Sequence, residues 1–137
     1  MYDKILAAID ESDVGDRVLT AASELAALSQ GEVLVLHLRE REPSKFGVRS
    51  AESAGEAQAL VDAAVGKLSA AGISAQGHAR DTLFGHAAQE IINDAKANEI
   101  GVIVMGSRGH GDLAGLLLGS TAHKVVHLSD KPVLVVR

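Results

Sequence analysis

Cysteine is absent from this 137-residue chain, which excludes disulfides, thiol catalysis and any zinc site built on cysteine. Tryptophan is absent too, and aromatic residues make up only 2% of a sequence that is 47% hydrophobic. A core without large rings has to be built from Ala, Val, Leu and Ile, a composition that suits helices packed on a parallel sheet. Proline occurs only twice, and no apolar run approaches the length of a membrane span. Positive charge is also short: 18 Asp and Glu against 13 Lys and Arg leave a formal net charge of −5. That balance argues against a nucleic-acid-coating protein but leaves a mononucleotide open, since a mononucleotide needs only a local site. The start, Met1-Tyr2-Asp3-Lys4, has no basic region followed by a long apolar stretch, so a cytoplasmic protein is the simple expectation. Length and the lack of repeats or linkers suit one domain over residues 1–137.

What is present is an alternation of strand and helix patterns. Lys4 to Ile9 and Val33 to Leu38 are short apolar runs of strand type. Between them Val14, Val18, Ala22, Leu25 and Leu28 recur at helical spacing, with Ser12 or Asp13 as N-cap and Gly31 past the end. A second helix is marked by Ala57, Leu60, Val61, Ala64 and Leu68 and stops at Gly72. From Ile73 to Arg80 small or apolar residues alternate with polar ones, the mark of a strand with one wet face near a sheet edge. Ala88, Ile91, Ile92 and Ala95 make a third helix, Ile100 to Met105 a fourth strand, Ala122 to Leu128 a fourth helix, and Val133 to Val136 a fifth strand. Fully apolar central strands separated by helices call for a parallel α/β sheet covered on both faces. The one irregular stretch, Arg39 to Gly55, reads as a solvated loop in preference to a lid over a ligand.

The segment from Gly106 to Thr121 holds the strongest functional signal. It reads Gly106-Ser107-Arg108-Gly109, then nine residues, then Gly119-Ser120-Thr121, between a buried strand and a helix start. Parallel α/β folds bind phosphates at such places, because free helix N–H groups point outward there and the helix dipole favours an anion. Glycine at 106 and 109 would let the backbone turn and approach a ligand with no Cβ in the way. Ser120 reads as an N-cap whose hydroxyl is able to turn to a phosphate oxygen. The competing reading is a tight turn followed by an ordinary cap. Against it stand the length of the loop and its six Gly or Ser positions before the cap (Gly106, Ser107, Gly109, Gly111, Gly115, Gly119). A Walker A loop is excluded because no Lys follows these glycines at the required offset. Gly109 to Ala114 fits G-x-G-x-x-[GA], yet only one strand follows it and Asp130 precedes that strand, so a dinucleotide fingerprint does not apply.

Asp10 ends the first strand, where a carboxylate is placed to accept from a ribose or base; helix capping is the alternative, and Ser12 and Asp13 already serve it. Arg108 is a secondary candidate for phosphate. His123 and His127 share a helix face at i, i+4 but lack a third ligand, and His37, His78, His86 and His110 are scattered along the chain. No G-x-S-x-G elbow exists, and Ser107 and Ser120 have no evident base, so the case for catalysis is weak.

With Asp10 after the first strand, G-x-x-G-(nine residues)-G-[ST] after the fourth and a closing Pro132-Val133-Leu134-Val135-Val136, the chain resembles the universal stress protein family, closest to its ATP-binding branch. The resemblance implies a Rossmann-like single domain, a five-stranded parallel sheet in the order 3-2-1-4-5 with helices on both faces. It implies ATP lying across the strand ends. Ala8 and Asp10 would line the base and ribose side, with the backbone of Leu38 near the adenine and Gly106 at the ribose. Gly109, Gly119, Ser120 and Thr121 would hold the phosphates, bridged by Mg2+, with no protein metal ligand. Gly85-His86 departs from a frequent Gly-Pro pairing, which leaves the shape of that turn open. The expected role is a nucleotide-binding stress-response or signalling module. A slow Mg2+-dependent ATPase or phosphotransferase, or an AMP or cyclic-nucleotide sensor using the same pocket, stands as the alternative. In the implied order the last strand lies at the sheet edge, apolar on both faces, so pairing of Val133–Val136 with a second copy is expected.

Overall fold

A computed structural model describes residues 1–10, 14–45, 47–50, 52–108 and 118–137, without the side chains of 48–50. The strands are β1 (Lys4–Ile9), β2 (Glu32–Ser44), β3 (Gly47–Ser50), β4 (Ser74–Leu83), β5 (Val102–Gly106) and β6 (Val133–Val136). The helices are α1 (Val14–Ser29), α2 (Ala54–Ala70), α3 (Ala87–Ala97) and α4 (Ser120–Leu128). All strands but β3 run parallel, in the spatial order β4-β2-β1-β5-β6. That is the expected order 3-2-1-4-5 of the five parallel strands. The expected wet-faced strand, now β4, pairs only with β2 among the described residues and so forms one edge.

Strand alternation divides the core in two. Ile5, Ala7, Val33, Val35, Val102 and Val104 face α1 and α2, meeting Val18, Ala22, Val61 and Leu68. Leu6, Leu34, Leu36, Ile103 and Met105 face the other way, toward Ala88 and Ile91 of α3 and Ala122 and Val125 of α4. The largest fully buried side chains of this Ala-Val-Leu-Ile core include Ile5, Leu6, Leu36, Leu68 and Ile103. Small and branched side chains let the helices sit close to the strands, which is why the fold manages without rings.

Three helices end alike. The amide of Gly31 donates to the Ala26 carbonyl, that of Ile73 to Leu68 and that of Ile100 to Ala95, each five residues back. The residue before each donor is left-handed: Gln30 (φ 54), Gly72 (φ 80) and Glu99 (φ 53). These bonds satisfy carbonyls that the helix itself leaves open.

The stretch from Arg39 to Gly55 corrects the expectation of a loop. β2 continues to Ser44, because β4 pairs with it as far as Arg41↔Leu83 and β3 folds back antiparallel on it over Arg41↔Ser50 to Ser44↔Gly47. Arg39 Nη1 binds both oxygens of Asp81 on β4 at 3.1 Å, holding the two strands together past the end of the apolar run. Ser53 then caps α2, its hydroxyl accepting from the Glu56 amide. The Ser12 and Asp13 caps of α1 lie outside the described residues.

Candidate functional site

The order in which strands are added reverses between β1 and β5. The chain leaves β1 for β2 on one side, and after β4 it enters β5 on the other. In an open α/β sheet the helices on either side of such a point diverge and leave a crevice beyond the carboxyl ends of the strands. Here those ends are Ile9-Asp10 and Gly106-Ser107.

Gly106 is not in a left-handed conformation. A Cβ there would stand 2.7 Å from Cγ1 of Val14 and 3.1 Å from the Arg108 carbonyl. The glycine therefore serves the close approach of α1 to the end of β5. Ser107 is buried; its amide donates to the Val136 carbonyl at 2.6 Å, and its own carbonyl accepts from the Gly119 amide. These two bonds tie the start of α4 to the ends of β5 and β6.

Gly119, not Ser120, is the N-cap of α4, with φ −66 and ψ 160 and no side-chain cap bond. The first intrahelical bond runs from the His123 amide to the Gly119 carbonyl at 2.9 Å. The amides of Ser120, Thr121 and Ala122 precede it and have no acceptor within the helix. No acidic residue stands in the first turn of α4, Ser120 is exposed and Thr121 half-buried. The helix thus presents donors and a favourable dipole to an anion. Arg108 is exposed just beyond β5, and Gly109, with Gly111 and Gly115, lies outside the described residues.

The nucleoside candidates lie next to this point. Ala8 pairs with Leu36 and Met105, and both Ala8 and Leu38 are half-buried against the core layer under α3 and α4. Asp10 is half-buried directly after β1. On the β1 side of β2, pairing with β1 stops at His37 and pairing with β3 starts at Arg41. Between these registers lies a notch of about 13 Å, four residues of strand rise, which includes the Leu38 backbone.

Sequence reasoning missed His37. Its ring is buried beside this notch; Nδ1 donates to the Ile9 carbonyl at 2.9 Å, and Nε2 lies 2.7 Å from Oε1 of Glu52. The signal was its alternation with Val33 and Val35, which puts 37 on the buried α1/α2 face. His78 also has a defined place: on β4, away from the crevice, it donates from Nε2 to the buried carboxylate of Asp94 on α3, which also accepts from Arg80 at 3.0 Å. His123 and His127 stack with centroids 6.3 Å apart, exposed on α4. Among the described residues no three His, Cys, Asp or Glu side chains gather as a metal site. A hollow at the opposite end of the sheet, lined by Lys4, Glu32, Gln76 and Asn98, lies at the amino ends of the strands and has neither the glycines nor the helix start.

The sequence model described as the universal stress protein family matches residues 1–137. The universal stress protein YxiE of Bacillus subtilis is 35% identical over 154 residues, covering 100% of both chains. Among solved structures, MJ0577 of Methanocaldococcus jannaschii superposes with a TM-score of 0.81 at 25% identity, covering 99% of this chain and 96% of that one. A universal stress protein of Archaeoglobus fulgidus, solved in complex with dAMP, superposes with a TM-score of 0.76 at 26% identity, covering 99% and 98%.

Proposed function

Because this chain belongs to the universal stress protein family, we propose that it binds an adenine nucleotide across the carboxyl ends of β1 and β5, with ATP and Mg2+ as its ligands. The observation that carries this reading is the start of α4. Three helix amides without an intrahelical acceptor, and no opposing carboxylate in the first turn, stand at the point where the sheet order reverses. The dAMP complex of the Archaeoglobus relative supports an adenine nucleoside.

In this reading Ala8, Asp10 and the Leu38 backbone hold base and ribose, and Gly106 meets the ribose. Arg108, Gly109, Gly119, Ser120 and Thr121 hold the phosphates. A bound Mg2+ would supply positive charge against the phosphates that these residues hold. The protein acts as a nucleotide-responsive stress or signalling module of the cytoplasm, working as a homodimer through β6. A monophosphate in place of ATP is the second reading, and the dAMP complex favours it. Identifying the nucleotide released on denaturing the purified protein, followed by a competition panel, separates the two.

Gly119→Val is the direct test. Its backbone angles are open to any residue, so the substitution strains no dihedral, and circular dichroism establishes that the variant is folded before binding is measured. A branched side chain at the cap fills the space over the helix amides, and ATP affinity measured by calorimetry drops by about a hundredfold or more, roughly 3 kcal/mol. Unchanged affinity in the folded variant would sink the proposal.

A further inference from the structure

We propose that His123 and His127 form an exchangeable chelate for a divalent cation of the Zn2+ class on the outer face of α4, separate from the Mg2+ of the nucleotide reading. The two residues stand four apart in a helix, and the burial of Ala122 and Val125 turns their shared face outward. Both rings are exposed, so their nitrogens are reachable from solvent. The rings lie nearly parallel, at 4°, with centroids 6.3 Å apart. Helical side chains lean toward the N-terminus, so the ring of His127 comes to rest over the turn that carries His123.

Imidazole nitrogen is a good ligand for Zn2+, Ni2+ and Cu2+, whereas Mg2+ seeks oxygen. Zn–N bonds of about 2.0–2.1 Å at a tetrahedral angle set the two nitrogens about 3.4 Å apart and the ring centroids about 5 Å apart. Reaching that from 6.3 Å closes the rings by about 1 Å, a small rotation about χ1 and χ2 of exposed side chains. The helix is what makes the pair a site. Once one nitrogen holds the ion, the backbone keeps the other within reach, and the second bond forms without a separate encounter. Three or four protein ligands make a structural zinc site; two leave the remaining positions to water, and the ion exchanges with solution.

The electrostatic setting favours a cation at this end of the helix. α4 ends at Leu128, one residue past His127, where the dipole presents its negative end, and Asp130 follows. The net charge of −5 acts in the same direction. Lys124 is exposed beside His123 and works against it. The middle of the pair lies about 9 Å along the helix axis from the Gly119 cap, clear of the first-turn amides. An ion bridging His123 and His127 joins successive turns of a nine-residue helix and so steadies α4.

The test titrates Zn2+ alone into the full chain by calorimetry at about pH 7.5, where imidazole is ordinarily neutral and able to ligate. No nucleotide is present, so the outcome is independent of the nucleotide reading. His123→Ala and His127→Ala each weaken Zn2+ binding by about a hundredfold, because either one leaves a single imidazole. His86→Ala, which removes an exposed histidine outside the pair, leaves it unchanged. Saturating Zn2+ raises the thermal midpoint of the wild type by about 5 °C and leaves that of the two α4 variants in place. In NMR spectra the ring protons of His123 and His127 shift together, with one dependence on Zn2+. Equal Zn2+ affinity in the wild type and both α4 variants overturns the chelate, as do ring signals of the pair that stay still while other histidines respond.

Discussion

Single carboxylates do different work at the two ends of this sheet. Asp94 is buried on α3 and accepts from His78 and Arg80 of β4, so it fastens a helix to an edge strand. Its partners keep 32% and 52% of their side-chain exposure, so they can turn to water when it is removed. Asp94→Ala is therefore expected to cost about 2 kcal/mol in urea unfolding, below the figure for a fully buried pair. Asp10 sits at the crevice, and its proposed role is contact with base or ribose. If that is right, Asp10→Ala weakens ATP, ADP and AMP by the same ten- to hundredfold, about 1.5–3 kcal/mol, because all three share the nucleoside. A loss confined to ATP would move Asp10 to the metal on the phosphates. The two residues were not equally legible. Asp10 stands out at the end of an apolar run, whereas nothing beside Asp94 in sequence names partners on another strand.

At the scale of elements, the helices were readable from their apolar spacing, and their ends were less so. Gly72 marked the end of α2 through the residue type that a left-handed position favours. The corresponding positions after α1 and α3 hold Gln30 and Glu99, which carry the conformational cost of a Cβ there. Glu99 is exposed, so Glu99→Gly relieves that cost with little packing to lose. It is expected to add about 1 kcal/mol to stability and raise the thermal midpoint by roughly 3 °C, read by calorimetry. A lower midpoint would show that the glutamate makes up the strain elsewhere. β2 was underestimated for a different reason: its outer half is polar, and it is a strand because β3 and β4 supply pairing and Arg39 an ion pair.

For the whole molecule the open question is the edge formed by β6. It pairs only with β5 among the described residues; Leu134 on this strand is 43% exposed, and Val126 and Leu128 of α4 are exposed as well. Such an edge offers unpaired backbone groups next to an apolar surface, and neither charge nor proline lies within Val133–Val136 to discourage pairing. The proposed homodimer joins two such edges about a two-fold axis. Light scattering after gel filtration is expected to report about twice the 14.2 kDa of the chain, and Val135→Lys to return it to a monomer. A monomeric wild type at tens of micromolar, or a dimer indifferent to the substitution, would exclude this interface.

The sequence by itself determined the parallel α/β class, the strand and helix order and the neighbourhood of the glycine segment. These rest on local properties: period of apolar residues, scarcity of aromatic residues, and glycines between a strand and a helix. Tertiary structure decided what depends on residues far apart in the chain. It moved the cap of α4 from Ser120 to Gly119, where the Ser107 carbonyl holds the Gly119 amide. It assigned Gly106 to the approach of Val14, and it turned Arg39–Ser44 and Gly47–Ser50 from part of an expected loop into paired strand. His37 shows the physical reason most directly. Its partners Ile9 and Glu52 stand 28 and 15 residues away, and a hydrogen bond between distant groups has no signature until folding brings its donor and acceptor together.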